Sequence, residues 1–242
     1  MSLKVLLFVA AVAGYASAEF PSYIHVCGLR NPNLDQCIID SVNSIADTIR
    51  VGDPELGIPS AEPFLMDRVQ LADLPNFKAY GTNIKIYGLP TYHINSLHVD
   101  PEKHQFDVDL TFREIRMEAD YNVTARILIP IVATGPIHLV IKDVGAKTQI
   151  LYELVDHKGK KHMYFSSMTT NLDIKDFDAK FESRNFDKTV QQAVGQALGG
   201  SHKEIIETCK PAIESAISKK CLDLANNICK NFTYEELFPD RE

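Results

Sequence analysis

Hydrophobic and polar positions follow three successive regimes along this chain. From Asn33 to Arg50 the apolar residues Leu34, Cys37, Ile38, Val42, Ile45 and Ile49 recur every three or four positions. Asp35, Asp40, Asn43 and Asp47 fall off that face, which is the signature of an amphipathic helix. Asn33 is the expected N-cap, and Gly52-Asp53-Pro54 closes the segment. Gly57-Ile58-Pro59 through Glu62-Pro63-Phe64 cannot continue it, because proline lacks the amide hydrogen a helix needs. From Phe64 the period becomes two. Ile84 and Ile86 share one face of a strand over Tyr80–Gly88, Ile94–Val99 follows, and Phe106, Val108, Leu110 and Phe112 alternate with Asp107, Asp109, Thr111 and Arg113. Parity then flips, and Ile115, Met117, Ala119, Tyr121, Val123, Ala125 and Ile127 become the apolar set. A flip without a turn signal predicts a β-bulge or bend near Arg113–Glu114 in one long, curved strand. Pro130 and Gly135-Pro136 are expected to end it, with later strands at Ile137–Ile141, Thr148–Val155 and Met163–Leu172.

The third regime is helical again. Phe186–Leu198 has helical spacing and leads to the hinge Gly199-Gly200. Ser201–Phe232 carries the stripe Ile206, Cys209, Ile213, Ile217, Cys221, Leu224 and Ile228. Lys203, Glu204, Glu207, Lys210, Glu214, Ser218 and Lys219 lie on the other side, and Pro211 predicts a kink or break. Such a run reaches about 40 Å. The order helix, long antiparallel meander, long helix places the chain in the α+β class. An antiparallel sheet with one apolar face curls around whatever covers that face. The terminal helix is long enough to do so, giving a half-pipe wrapped round a helix. Small or pliant inward residues (Ala119, Ala125, Met117) leave room for an elongated apolar cavity.

Cysteine and charge narrow the setting. Lys4, the apolar run Val5–Ala13 and Ala16-Ser17-Ala18 have the form of a secretory signal peptide over residues 1–18, leaving a single domain over 19–242. The apolar run is too short to span a bilayer, and no other stretch reaches spanning length. The formal charge of −7 argues against nucleic acid and anionic membrane as main partners. Among five cysteines, Cys27 and Cys37 flank a turn-rich loop short enough for a disulfide. On a continuous helix Cys221 and Cys229 stand about 12 Å apart and Cys209 and Cys221 about 18 Å, so these three are expected as thiols. Cys209 and Cys221 belong to the stripe, whereas Cys229 falls off it and is expected to be more exposed.

Catalytic chemistry has no visible carrier. The sequence contains neither a Gly-x-Ser-x-Gly elbow nor His-Glu-x-x-His, and His93, His98 and His104 lack metal-ligand spacing. The expectation is therefore no enzyme, no cofactor and no metal site. The candidate ligand-lining set is Ile84, Ile86, Phe106, Val108, Leu110, Phe112, Ile115, Met117, Tyr121, Val123, Ile127, Ile213 and Ile217. Each of these is equally readable as plain core. Tyr121 is a candidate polar anchor, or else a structural tyrosine whose phenol bonds to the protein. Asn122-Val123-Thr124 and Asn231-Phe232-Thr233 are N-glycosylation sequons.

Several residue groups together resemble the insect takeout and haemolymph juvenile hormone-binding protein family. They are the Cys27 and Cys37 pair leading into a helix, Gly57-Ile58-Pro59 before Glu62-Pro63-Phe64, and Ile84-Lys85-Ile86-Tyr87-Gly88-Leu89. The strand Tyr121–Pro130 followed by Gly135, and the ending Leu237-Phe238-Pro239-Asp240, complete the likeness. The resemblance implies a tubular lipid-binding fold, with a curved antiparallel sheet around a long C-terminal helix enclosing an apolar tunnel. It also implies a secreted, monomeric carrier of a terpenoid hormone, fatty acid or similar lipid, in haemolymph or other extracellular fluid, tied to circadian, feeding or chemosensory physiology. The alternative is an extracellular signalling protein that acts through a receptor and holds its lipid only structurally. The hormone-carrier branch has a second disulfide from a strand to the C-terminal helix. No cysteine lies between positions 38 and 208 here, which favours the takeout-like branch.

Overall fold

The computed structural model describes residues 21–126, 130–184, 186 and 202–242. The expected leader, Ile127, the Gly199-Gly200 hinge and all of the Phe186–Leu198 helix except Phe186 fall outside these.

The first helical regime is two helices, α1 (Leu34–Ser44) and α2 (Ala46–Val51), parted at Ile45. Asn33 occupies the N-cap position but makes no capping bond through its side chain; instead Asn31 Oδ1 accepts the Asn33 amide. The Cys27–Cys37 disulfide ties α1 to the preceding loop. Seven strands follow: β1 (Phe64–Leu74), β2 (Phe77–Tyr87), β3 (Tyr92–Asp100), β4 (Gln105–Arg126), β5 (Pro130–His157), β6 (Lys160–Asp173) and β7 (Phe177–Phe181). A long helix, α3 (His202–Cys229), and a short one, α4 (Tyr234–Leu237), complete the described chain.

Two very long strands are the spine. β4 and β5 pair antiparallel from Gln105↔Leu151 to Arg126↔Pro130, a contour of about 70 Å at the usual rise. β4 carries β3 along its first half and β2 along its second, and β5 carries β7 along its first half and β6 along its second. One half of the sheet thus reads β3-β4-β5-β6 and the other β1-β2-β4-β5-β7. The expected separate strands between Pro130 and Val155 are a single strand. Gly135-Pro136 lies inside it because the Pro136 carbonyl faces β7, where it accepts the Glu182 amide. Its missing N–H therefore faces the short outer strand, the place where a sheet tolerates proline.

The parity flip is real, but no residue is inserted. Phe112↔Val144 and Glu114↔Lys142 hold the same register across it, so both strands turn together. Asp143 takes φ +52, a left-handed conformation that aspartate accepts more readily than most residues. A paired bend keeps the apolar set of both strands on one face while the sheet changes direction.

The helix α3 packs against β6 and also against β1, which occupy opposite sides of the sheet. It therefore closes the seam of a curled half-barrel. It runs unbroken through Pro211, where the expectation was a kink or a break. Pro211 is exposed, so its ring points away from the sheet. Packed material gathers at two places. In one, Val99, Phe106, Tyr152 and Met163 are covered by Leu34 and Ile38 of α1 and by Tyr234, Leu237 and Phe238 of the C-terminal segment. In the other, Val69, Ile84 and Ala119 pack with Met66, Ile137 and Ala216 of α3.

Candidate functional site

The inner face of the curled sheet follows from register. Val99, Phe106 and Ile150 form one cross-strand row, and Leu97, Val108, Thr148 and Thr170 form the next. Ile94, Leu110, Ala146 and Leu172 come after, and then Tyr92, Phe112 and Val144. Past the bend, Ile115 and Ile141, then Ile86, Met117 and Leu139, continue the face. All described members of the candidate lining set on β2 and β4 lie on this face. Ile127 lies outside the described residues.

The members do not behave alike. Ile84, Phe106 and Ile115 are buried, and Ile84 and Phe106 belong to the two packed clusters. Ile86 and Met117 pack against the second cluster while staying half-buried. Val108, Leu110 and Phe112 belong to neither cluster and remain half-buried, although they sit on the inner face between the two. Ile213 and Ile217 are half-buried on α3. Helical spacing puts them between Ala216, which touches the β1 side, and Glu214 and Ser218, which touch β6. They therefore aim at the inner face. Apolar material is thus packed at two places, with half-buried apolar side chains between them.

Tyr121 is committed to the protein. Its hydroxyl donates to the Glu182 carbonyl at 3.1 Å, and its ring meets Phe181 edge-on. Its register partners are Gly81 and Gly135. A Cβ on Gly135 would stand 1.8 Å from that same Glu182 oxygen, so glycine is required where the chain after β7 crosses. The structural alternative for Tyr121 thus has a named partner.

Sequence reasoning misplaced one face of α3. Glu214, Ser218 and Lys210 were expected toward solvent. Instead Glu214 Oε1 accepts the Leu172 amide at 2.7 Å, Ser218 donates to Thr170 Oγ1 at 2.9 Å, and Lys210 reaches Asn171 at 3.3 Å. Asn226, which the pattern did not single out, accepts the Phe165 amide at 2.8 Å and donates to the Phe165 carbonyl at 2.9 Å. For Glu214 and Asn226 the cause is the free edge of β6, whose backbone groups need partners once buried, whereas Ser218 and Lys210 meet side chains of that strand. The repeat of polar residues at 210, 214, 218 and 226 was the available signal. Cys229 also departs from expectation. It is not more exposed than Cys209 and Cys221, and burial pushes its thiol up to about 11.

Elsewhere, two open hollows lie on the outer surface, one of about 650 Å³ along Asp47–Glu55 with Tyr23, the other of about 470 Å³ between Asn31–Ile39 and Ser96–Val99. The first lies away from the inner face, and the second reaches that face at Leu97 and Val99. In the second, Asp35 accepts the Val99 amide at 2.8 Å and pairs with His98 Nδ1 at 2.9 Å, which raises the imidazole above its ordinary range. Among the described residues, His25 approaches Cys27 and Cys37 closely enough to suggest a metal cluster, but the disulfide occupies both sulfurs. Asn231 is exposed at the end of α3, whereas Asn122 is half-buried between its register partners Tyr80 and Thr134. Among the described residues, no helix is long and apolar enough to cross a membrane.

A curled antiparallel half-barrel, apolar inside and closed by a C-terminal helix, is the tubular lipid-binding fold. The chain belongs to the haemolymph juvenile hormone binding protein family, whose model matches residues 5–239. Among solved structures it is similar to Takeout 1 of Epiphyas postvittana, with 22% identity over 88% of this chain and 99% of that one, at a TM-score of 0.73. A lipopolysaccharide binding protein aligns at 13% identity over 78% of this chain and 39% of the other, with a TM-score of 0.32, too remote to support an argument. Comparison with curated proteins finds no match.

Proposed function

We propose that the protein is a secreted carrier that takes an elongated apolar molecule, a terpenoid or long-chain lipid, out of water into the channel between sheet and helix. The observation that carries this reading is the middle of the inner face. Val108, Leu110 and Phe112 are apolar, face the interior, and are not filled over by the packed clusters on either side. Such a surface is unfavourable in water and gains about 25 cal/mol for each Å² that a guest covers. A chain of fifteen to twenty carbons buries a few hundred Å². After the cost of association, that supports roughly micromolar or tighter binding. The family and the disulfide support an extracellular setting. In this reading residues 1–18 are a cleaved leader, and Asn231 is the better placed of the two sequons.

Native mass spectrometry of protein taken from its own extracellular fluid tests the proposal. The expected result is a discrete added mass that exchanges with a long-chain competitor. Protein that is empty and takes up no apolar competitor would sink it. Intact mass before and after an N-glycan amidase reads sequon occupancy in the same sample.

A further inference from the structure

Three hydroxyls are buried together on the otherwise apolar inner face. Thr148 of β5 and Thr170 of β6 are register partners, and Ser218 reaches them from α3. Their exposures are 8%, 6% and 7%. Thr148 Oγ1 lies 3.3 Å from Thr170 Oγ1, and Ser218 Oγ lies 2.9 Å from that same oxygen. Two hydrogen bonds among three hydroxyls use two protons. Whichever way the bonds run, one O–H is left without an acceptor among the described residues. A buried donor in that state is unfavourable until something accepts from it. Val108, beside Thr148 in the ladder, and Leu172, two residues beyond Thr170, border it with apolar surface.

The charges nearby select the kind of acceptor. Glu214, one helical turn before Ser218, holds the Leu172 amide and is paired with Lys210 at 3.5 Å. Its carboxylate repels a second anion, and its cation is already engaged. A desolvated carboxylate needs an unspent positive charge, whereas a ketone, ester or ether oxygen needs only the spare proton. The geometry points to Thr148, Thr170 and Ser218 as the polar subsite that holds an uncharged oxygen of a long apolar ligand. The inference rests on the carrier reading and adds the ligand's chemical class and its place along the channel.

Three probes of equal carbon count separate the possibilities: a long-chain methyl ketone, the alkane and the fatty acid. Each is measured by displacement of an environment-sensitive fluorophore at neutral pH. The ketone is expected to bind about fivefold tighter than the alkane, the worth of one neutral hydrogen bond, and the acid no tighter than the ketone. Thr148→Val/Thr170→Val/Ser218→Ala, which removes every hydroxyl of the subsite and so its spare proton, abolishes the ketone advantage and leaves alkane affinity unchanged. Thr170→Ser retains the advantage. Thr148→Ala/Thr170→Ala/Ser218→Ala serves as the second variant should the first fail to fold, with the same loss of preference expected. Equal binding of ketone and alkane by the wild type, a ketone advantage that survives loss of all three hydroxyls, or a preference for the acid overturns the subsite while the carrier stands. If none of the probes displaces the fluorophore, the carrier reading falls and takes the subsite with it.

Discussion

Burial holds the Cys229 thiol at about 11, so at pH 8 its thiolate fraction is lower than that of an ordinary thiol by roughly a hundredfold. Alkylation of the native protein should therefore leave Cys229 almost untouched, and denaturation without reductant should expose three reactive thiols, Cys209, Cys221 and Cys229. Peptide mapping after a timed pulse of iodoacetamide reads both. His98 supplies a pH-dependent effect of opposite character. Its pKa is raised in the folded protein by the bond to Asp35. The stabilisation is thus fully present below the ordinary histidine value and is lost as pH rises through the raised one. Because the imidazole is largely exposed, the pair contributes under about 1 kcal/mol. Wild type and His98→Gln should differ most in amide-exchange protection of α1 near pH 6 and converge in mild alkali. An equal difference at both ends would show that shape, rather than charge, links α1 to β3.

At the scale of elements, the seam is the feature that makes a helix and a sheet into a tube. Asn226 offers the β6 edge an acceptor and a donor, as a neighbouring strand would, and Glu214 offers a second acceptor. Asn226→Ala strands both backbone groups of Phe165 in a half-buried place and should cost about 1–3 kcal/mol. The neighbouring, exposed Asn227→Ala should stay within roughly 0.5 kcal/mol of wild type. Paired urea titrations decide between the two. A helical wheel shows the polar row at 210, 214, 218 and 226 but not the strand edge it serves. Periodicity reports which residues share a side of the helix, and polar residues read as solvated unless the partner that needs them is known. The paired bend at Arg113 and Asp143 shows the same limit. The flip in β4 was legible because apolar parity reverses between Phe112 and Ile115. That β5 bends with it, in register, depends on strand pairing.

For the whole molecule, the central question is whether the middle of the inner face is core or container. Leu110→Trp distinguishes them. In a filled core the larger side chain costs about 1–3 kcal/mol in strain. In a channel it occupies guest space, so melting temperature should hold while the amount of co-purified lipid falls severalfold. Native mass spectrometry of both proteins beside a thermal melt gives the answer. Unchanged lipid content in a folded variant would argue against the channel. Local pattern alone made β2, β3, β4, β6, the long amphipathic helix and the Cys27–Cys37 pairing predictable, because period, turn residues and loop length act over a few positions; it singled out neither β1 nor β7 and divided β5 at its prolines and glycines. Inward parity likewise followed from alternation, which is why Val108, Leu110 and Phe112 could be named in advance. Closure of the seam by Glu214, Ser218 and Asn226, the partner of Tyr121, and the meeting of Thr148, Thr170 and Ser218 were decided only by tertiary structure. Each joins residues 22 to 61 positions apart, and contacts over such distances are set by how the sheet curls rather than by any neighbour in the chain.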